Sequence, residues 1–485
     1  MSNQKDQNKG KINRRTFLKN TAIGAGGMAL TGLSGFNVLG RGSDNPPNVL
    51  IFMSDDLTYH DIPSYGNEQV HAPNIENLIS QGIRFEYAFN SAPMCAPTRM
   101  SLYSGIHPVR NGAWPNHSKV YPDIKSMPHY LGDLGYEVAI IGKRHEAPLE
   151  NFPFEDLGGR HHDGGKGVDL HLDKIRKYME DHKSNPWSLM VSSNQSHGPW
   201  NRGLDYTYDP EEITLPPYVV DTPETREAMS KYYAEITYMD HQVGTVLQHL
   251  EDTGQADNTI VIYLSEQGSH LPHCKWTCYD TGVRSAAVVR WPGVVEPGRS
   301  TDAMIQYVDV VPTILEAAGG NPEEHDFDGK SFMPVLTGES GEHHQYAFSE
   351  QTSKGIYNGP EAYGIRTVRS KDYRLIWNLN HENEFTNLVT RGYGPFESWE
   401  RKASEGDPFA QWRVNWYKRR PEFELYDNRV DPYELNNLAD NPHYAEVKER
   451  LKKELDAWMK QQDDKGAETE RNAMERMSEE QPWRE

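Results

Sequence analysis

Cys95-Ala96-Pro97-Thr98-Arg99 brings together a thiol, a proline and a guanidinium, and opens the amphipathic stretch Met100-Ser101-Leu102-Tyr103-Ser104-Gly105. Proline suits the first turn of a helix, because the amide hydrogen it lacks would find no partner there. A helix starting near Cys95 aims free backbone amides, and the positive end of its dipole, at whatever Cys95 holds. That geometry matches a tetrahedral anion such as sulfate or phosphate. Arg99, one turn in, adds a forked, permanently charged donor. The plainer reading is a small buried cysteine beside a surface arginine, and the rest of the chain decides between the two.

Other reactive side chains follow apolar runs. Asn48 to Met53 reads as a strand buried on both faces. It ends in Ser54-Asp55-Asp56, and adjacent acids just past a buried strand repel each other unless a cation neutralises them. Hard oxygen ligands there suit calcium or magnesium, and a solvated turn is the alternative. Tyr136 to Ile141 is another such run and delivers Gly142-Lys143-Arg144-His145. Trp187 to Ser192 precedes Ser196-His197-Gly198-Pro199-Trp200. Thr259 to Leu264 ends in Ser265-Glu266-Gln267-Gly268, with Lys275 and Trp276 close behind.

Helical patterns separate these runs: Pro73 to Gly82, Ser126 to Leu134, and a long one from Tyr232 to Leu250. Asp240 and His241 fall inside the last, where a satisfied helix histidine is the expected state of His241. Ile83 to Phe89 and Ala286 to Trp291 add further strands. The alternation predicts an α/β fold, a mostly parallel sheet flanked by helices. Asp55, Asp56, Lys143, His145, His197 and Glu266 all follow strand C-terminal ends, the edge at which open α/β sheets bind ligands.

Beyond about residue 340 the runs are shorter and alternate in polarity. Tyr363 to Val368 and Tyr373 to Trp377 predict a small antiparallel sheet. Asn441-Pro442 then starts a helix whose Tyr444, Val447, Leu451, Leu455 and Trp458 form one apolar stripe. The organisation expected is an export signal and linker over 1–45, a catalytic domain over 46–340, an α+β subdomain over 341–460 and a charged tail over 461–485, read as a solvated helix or loose segment.

Composition narrows the function classes. A formal net charge of −21 over 485 residues argues against a nucleic-acid partner, so any anion site must be a local basic pocket. Cys95, Cys274 and Cys278 make no disulfide framework, and Cys274 with Cys278 lacks the second pair of a zinc site. Eleven tryptophans and twenty-six tyrosines suit sugar stacking as well as core packing. Asn13-Arg14-Arg15-Thr16-Phe17-Leu18-Lys19, ahead of a weakly apolar run from Thr21 to Leu33, resembles a twin-arginine export signal. It implies the twin-arginine export machinery as a partner and a periplasmic destination.

Together these residues resemble the type I sulfatases of the alkaline-phosphatase-like superfamily, over roughly residues 46–460. The resemblance rests on Cys-X-Pro-Thr-Arg, the early Asp-Asp, Gly-Lys-X-His, Ser-His-Gly-Pro-Trp, Lys275, and the late Leu-Tyr-Asp, Asp-Pro and Asn-Asn-Leu-Ala. It implies that a formylglycine-generating or anaerobic sulfatase-maturating enzyme oxidises Cys95 to formylglycine (3-oxoalanine). One hydroxyl of the hydrated aldehyde would attack sulfur and the other would expel sulfate, dividing one hard displacement into two. It further implies one calcium ion held by Asp55, Asp56, Glu266, Gln267 and the modified Cys95, with Arg99 bracing them. Lys143 and Lys275 would bind sulfate oxygens, His145 would assist the hydrate, and His197 would protonate the leaving oxygen.

The family usually has Asp followed by Asn or His where this chain has Glu266-Gln267, so each arm is one methylene longer. Either the backbone sits further back, or one of the two does not touch the ion. Ser265-Glu266-Gln267-Gly268 and Lys275-Trp276-Thr277-Cys278-Tyr279-Asp280 look closest to the sulfamidase-like branch, with His117, Trp200, Arg202 and Arg284 as candidate sugar contacts. The implied substrate is a sulfated polysaccharide or its oligosaccharides: ulvan-like algal material first, N-sulfated glucosamine of heparan-type chains second. A phosphate or phosphonate ester hydrolase of the same superfamily, and an inactive glycan-binding homologue, are the rival readings.

Overall fold

The computed structural model describes residues 46–159, 169–203, 206–392 and 394–478; the twin-arginine-like stretch and residues 479–485 lie outside the described part. The main sheet contains β1 (Asn48–Ser54), β2 (Ile83–Phe89), β3 (Glu137–Gly142), β4 (Glu155–Asp156), β5 (Trp187–Ser192), β6 (Thr259–Ser265), β7 (Arg284–Arg290) and β8 (Arg299–Gln306). Their spatial order is β4-β3-β5-β1-β6-β7-β2-β8. β7 runs antiparallel to β6 and β2, and the remaining pairs are parallel. β1, β5 and β6 are buried along their whole length, which is why they read as unbroken apolar runs. Each fully buried Val, Leu or Ile there contributes about 1.5–3 kcal/mol relative to exposure.

Among the helices that cover this sheet are α1 (Pro73–Ser80), α2 (Cys95–Ser104), α3 (Leu172–Asp181) and α4 (Pro223–Thr253). α4 begins before the apolar pattern does, because the Thr222 side chain accepts from the Thr225 amide and Pro223 occupies the first turn. Asp240 on α4 caps α1, accepting from the amides of Asn74 at 3.1 Å and Ile75 at 2.8 Å. His241 is exposed and pairs with the Tyr206 hydroxyl, as a satisfied helix histidine should.

The second sheet is antiparallel, in the order β12-β11-β10-β9, from β9 (Ala347–Gln351), β10 (Ile365–Arg369), β11 (Tyr373–Asn378) and β12 (Phe423–Asp427). α5 (Ala445–Gln461) lays Leu451, Leu455 and Trp458 against Val368, Leu375 and Leu425. Buried ion pairs tie this sheet to the first. Asp280 sits 3.1 Å from Arg369 Nε and pairs with Arg374, which reaches Glu434 Oε1 at 2.8 Å. β9 also grips the loop before Cys95: Ser349 Oγ donates to Asn90 O at 2.6 Å and the Glu350 amide to Ser91 O at 3.0 Å.

The expectation of a solvated or loose tail after residue 461 fails for the described part of that segment. α6 (Ala467–Arg471) buries Thr469 and Glu470, and Ala473 packs with Val109 and Trp114. Its local composition offers no apolar face, but its charged side chains find buried backbone partners elsewhere in the fold.

Burial pushes the Glu350 carboxyl up to about 8, since the guanidinium facing it, Arg366 at 3.8 Å, is closed on Asp464. The native state therefore holds this proton more tightly than the unfolded chain does. Its contribution to stability is complete below the unfolded value of about 4.3 and is lost as pH rises toward 8. Glu350→Gln should flatten that decline. Urea midpoints measured from about pH 5 to 8 should fall more steeply for the wild type than for the variant, and parallel curves would refute the assignment.

Candidate active site

Four neighbouring parallel strands end at one level. Ser54 of β1 pairs with Ser265 of β6, Met53 with Ser192 of β5, and Gly142 of β3 with Ser192. The chain therefore leaves the sheet side by side at Asp55-Asp56, Lys143, Ser193 and Glu266-Gln267. Gly142 has φ +96°, and a Cβ there would lie 2.1 Å from Ser192 O, so only glycine makes the turn that brings in Lys143. Asp56 adopts φ +51°, a conformation costing a non-glycine residue about 1–3 kcal/mol. α2 opens at Cys95, with every residue of the helix buried.

Asp55 Oδ1 lies 3.8 Å from Cys95 Sγ, and Asp55 Oδ2 pairs with Lys143 Nζ. Asp56 Oδ2 accepts from Lys275 Nζ at 2.7 Å, and Asp56 Oδ1 from Gln267 Nε2 at 2.7 Å. Gln267 Nε2 is also 2.8 Å from Glu266 Oε2 and 3.1 Å from Cys95 Sγ. Glu266 Oε1 pairs with Arg99 Nε, while Arg99 Nη1 reaches Ser192 Oγ and Lys143 O. Asp55, Asp56, Cys95 and Glu266 each offer a ligand atom, all within 4.8 Å of one another.

This donor set fits a hard divalent cation. Gln267 Oε1 is buried with no hydrogen-bond partner, while its Nε2 serves three acceptors at once. Turning that amide over points its oxygen into the same space beside the carboxylates, which is favourable only with a cation between them. Glu266 and Gln267 both reach the cluster despite their longer arms.

The electrostatics follow from burial. It pushes Glu266 up to about 8, with the nearby Asp55 charge raising it further against Arg99 and Lys143. Burial would raise Asp55 and Asp56 too, but Lys143 and Lys275 respectively lead the charges that hold both below the ordinary carboxylate range. Burial, with Glu266 adding, pushes the Cys95 thiol up to about 12. Burial and the Lys275 cation push His197 down to about 3.

His197 Nε2 lies 3.4 Å from Asp56 Oδ2, and its Nδ1 is 2.6 Å from Gly198 O, so Nδ1 carries the proton and Nε2 faces the cluster. His145 is buried, its ring 4.9 Å from that of His117. Trp200 is half-buried, its Nε1 donating to Ser196 O at 2.8 Å. The Arg202 amide donates to Glu235 Oε2 at 2.9 Å. The structure places Arg284 apart from this group: its guanidinium stacks on Tyr59 and Tyr87, donates to Glu86 O at 2.8 Å and joins Asp280 in the ion-pair network between the sheets. Sequence reasoning missed His270, whose Nδ1 is 3.7 Å from Asp56 Oδ2 and whose ring packs on Trp276. Its one signal was its place between Glu266 and Lys275.

A family model described as Sulfatase matches residues 47–320, and one described as N-sulphoglucosamine sulphohydrolase, C-terminal, matches 268–398 and 410–461. The chain is similar to an ulvan-active sulfatase of Formosa agariphila, 34% identical over 86% of this chain and 81% of that protein. It is 27% identical to the human N-sulphoglucosamine sulphohydrolase, over 87% of this chain and 91% of the relative. A solved structure in complex with its substrate D-glucosamine-2-N,6-O-disulfate superposes with a TM-score of 0.64 at 19% identity, covering 87% of this chain and 99% of that one, and so shares the fold.

Two substitutions test the cation site. Glu266→Ala leaves Arg99 buried without its carboxylate and should cost about 3–5 kcal/mol in urea unfolding. Calcium should raise the melting temperature of the chelator-treated wild type, and Asp56→Asn should abolish that rise. An equal calcium-induced rise in both proteins would remove Asp56 from the ligand set.

Proposed function

Since this chain belongs to the sulfatase family and is a sulfuric ester hydrolase acting on sulfated carbohydrate, we propose that it desulfates oligosaccharides of an ulvan-type algal polysaccharide, with a formylglycine made from Cys95 and one calcium ion beside it. The observation that carries this reading is the convergence of Cys95, Lys143, Lys275 and His197 on the Asp55-Asp56 pair. A thiol pushed up to about 12 stays protonated near neutral pH and is a poor nucleophile, which favours a converted side chain over cysteine itself. A hydrated aldehyde supplies one hydroxyl to attack sulfur and another to let sulfate leave. Calcium would lower the pKa of that hydroxyl and draw charge from the sulfate oxygens.

The chain's own residues do the rest. Asp55, Asp56, Glu266 and Gln267 would hold the ion, and Arg99 fixes Glu266 in place. Lys143 and Lys275 are the cations within reach of an incoming sulfate group. His197 is neutral in the resting site, with Nε2 facing inward. An anionic ester bound beside it would favour the imidazolium, so that Nε2 takes up a proton from solvent and then passes it to the departing sugar oxygen.

The relative named for ulvan supports that substrate class. The second reading, N-sulfated glucosamine of heparan-type chains, is favoured by the matched C-terminal family over 268–398 and 410–461. We also infer export to the periplasm by the twin-arginine machinery, and conversion of Cys95 by a formylglycine-generating or anaerobic maturating enzyme, from the residues quoted above.

The test is a sulfate-release screen over defined ulvan and heparan oligosaccharides, using protein whose Cys95 peptide mass confirms conversion. Cys95→Ala should abolish release. His197→Ala should lose about 10²–10⁴-fold on a sugar sulfate and far less on an aryl sulfate, whose leaving oxygen needs no proton. Aryl phosphate turned over faster than aryl sulfate would instead point to a phosphoester hydrolase.

A further inference from the structure

The segment after α5 bonds to the loop at residues 112–121. Arg476 donates from Nε to Gly112 O at 2.8 Å and from Nη2 to Lys119 O at 2.6 Å, with its guanidinium 4.2 Å from the Tyr121 ring centre. The Lys119 amide donates back to Arg476 O at 3.1 Å, Ser118 bridges Met477, and the Ser478 amide donates to His117 O at 3.0 Å. At the other end of the segment, Glu470 Oε1 accepts from the amides of Ser353 at 2.9 Å and Tyr363 at 3.2 Å. The 353–355 loop meets the same turn, the Asn116 amide donating to Lys354 O at 3.2 Å.

This turn adjoins the reactive cluster. Asn116 Oδ1 is 3.4 Å from the Ala96 amide in the first turn of α2, and the His117 ring is 4.9 Å from that of His145. His117 has φ +62°, a conformation that costs about 1–3 kcal/mol and persists only where its surroundings impose it. Contacts from residues 476–478 on the backbone of 117–119 supply that constraint.

We propose that residues 467–478 form a strap that holds His117 at the mouth of the site to contact the sugar bearing the sulfate, with Arg476 and Ser478 as positioning residues that act through it. The substrate half of this inference rests on the sulfatase reading. An imidazole there hydrogen-bonds a ring hydroxyl, adding affinity for a sugar without entering the chemistry at sulfur.

The experiment compares His117→Ala, Arg476→Ala and the double variant on a sulfated oligosaccharide that the wild type desulfates. Each single change should raise KM about tenfold with kcat within about twofold, and the double variant should be no worse than His117→Ala alone. Arg476→Lys keeps one donor and should recover part of the loss. Additive losses, an unchanged KM, or a fall confined to kcat would overturn the proposal. Hydrogen exchange reads the strap without turnover: Arg476→Ala should speed exchange across 116–119, and unchanged exchange refutes the strap whatever the substrate. No sulfate release by converted wild type on any substrate would instead refute the sulfatase reading, and with it the role of His117, while the strap itself would stand or fall on exchange.

Discussion

Asp55, Asp56 and Glu266 bring three carboxyl groups into one buried pocket, and an ionised group taken out of water costs several kcal/mol unless positive charge lies beside it. Lys143, Lys275 and Arg99 meet that demand, each paired with a different one of the acids. Each of these pairs joins two separate stretches of chain. The acids lie after β1 and β6; the cations lie after β3, on α2 and in the loop beyond Gln267. The cluster is therefore assembled only when four parallel strands end at a common level, and the register of Ser54, Gly142, Ser192 and Ser265 provides that. Slipping one strand by a residue would exchange its faces and leave a buried charge unmatched.

The same constraint explains which parts could be read from the chain. β1, β5 and β6 are buried on both faces, so hydrophobicity alone marks them, and the polar residues that interrupt each run mark its end. That sufficed to gather Asp55, Asp56, Lys143, His197 and Glu266 on one edge. His270 and Arg284 show the limit. His270 lies in a loop with no periodicity, and only the folded path of residues 268–276 turns it toward Asp56. Arg284 opens β7, the strand that runs against its neighbours. It enters the sheet from beside Asp280, among the ion pairs that join the two sheets. Residues 467–478 were illegible for another reason: Glu470 and Arg476 are satisfied by backbone atoms more than a hundred residues away, and no local pattern records such partners.

The C-terminal sheet is part of the site's support and not an appendage. β9 bonds to Asn90 and Ser91, just ahead of Cys95, while Asp280, a few residues past Lys275, is locked to Arg369 and Arg374 on β10 and β11. Both flanks of the reactive residue are thus braced from the second sheet. Preorganisation of this kind matters because a group misplaced by about 1 Å forfeits much of its catalytic advantage.

Charge finally reconciles an acidic protein with an anionic substrate. The chain carries −21 overall, yet in the site each of the three acids has a cation side chain beside it. A divalent ion among the carboxylates would take over part of their neutralisation and leave Lys143 and Lys275 with charge to spare. The pocket then presents surplus positive charge inside low-dielectric walls, where it acts far more strongly than the dispersed, screened negative charge outside. Attraction at the site and repulsion at the surface thus operate at different ranges, and the short range decides what binds.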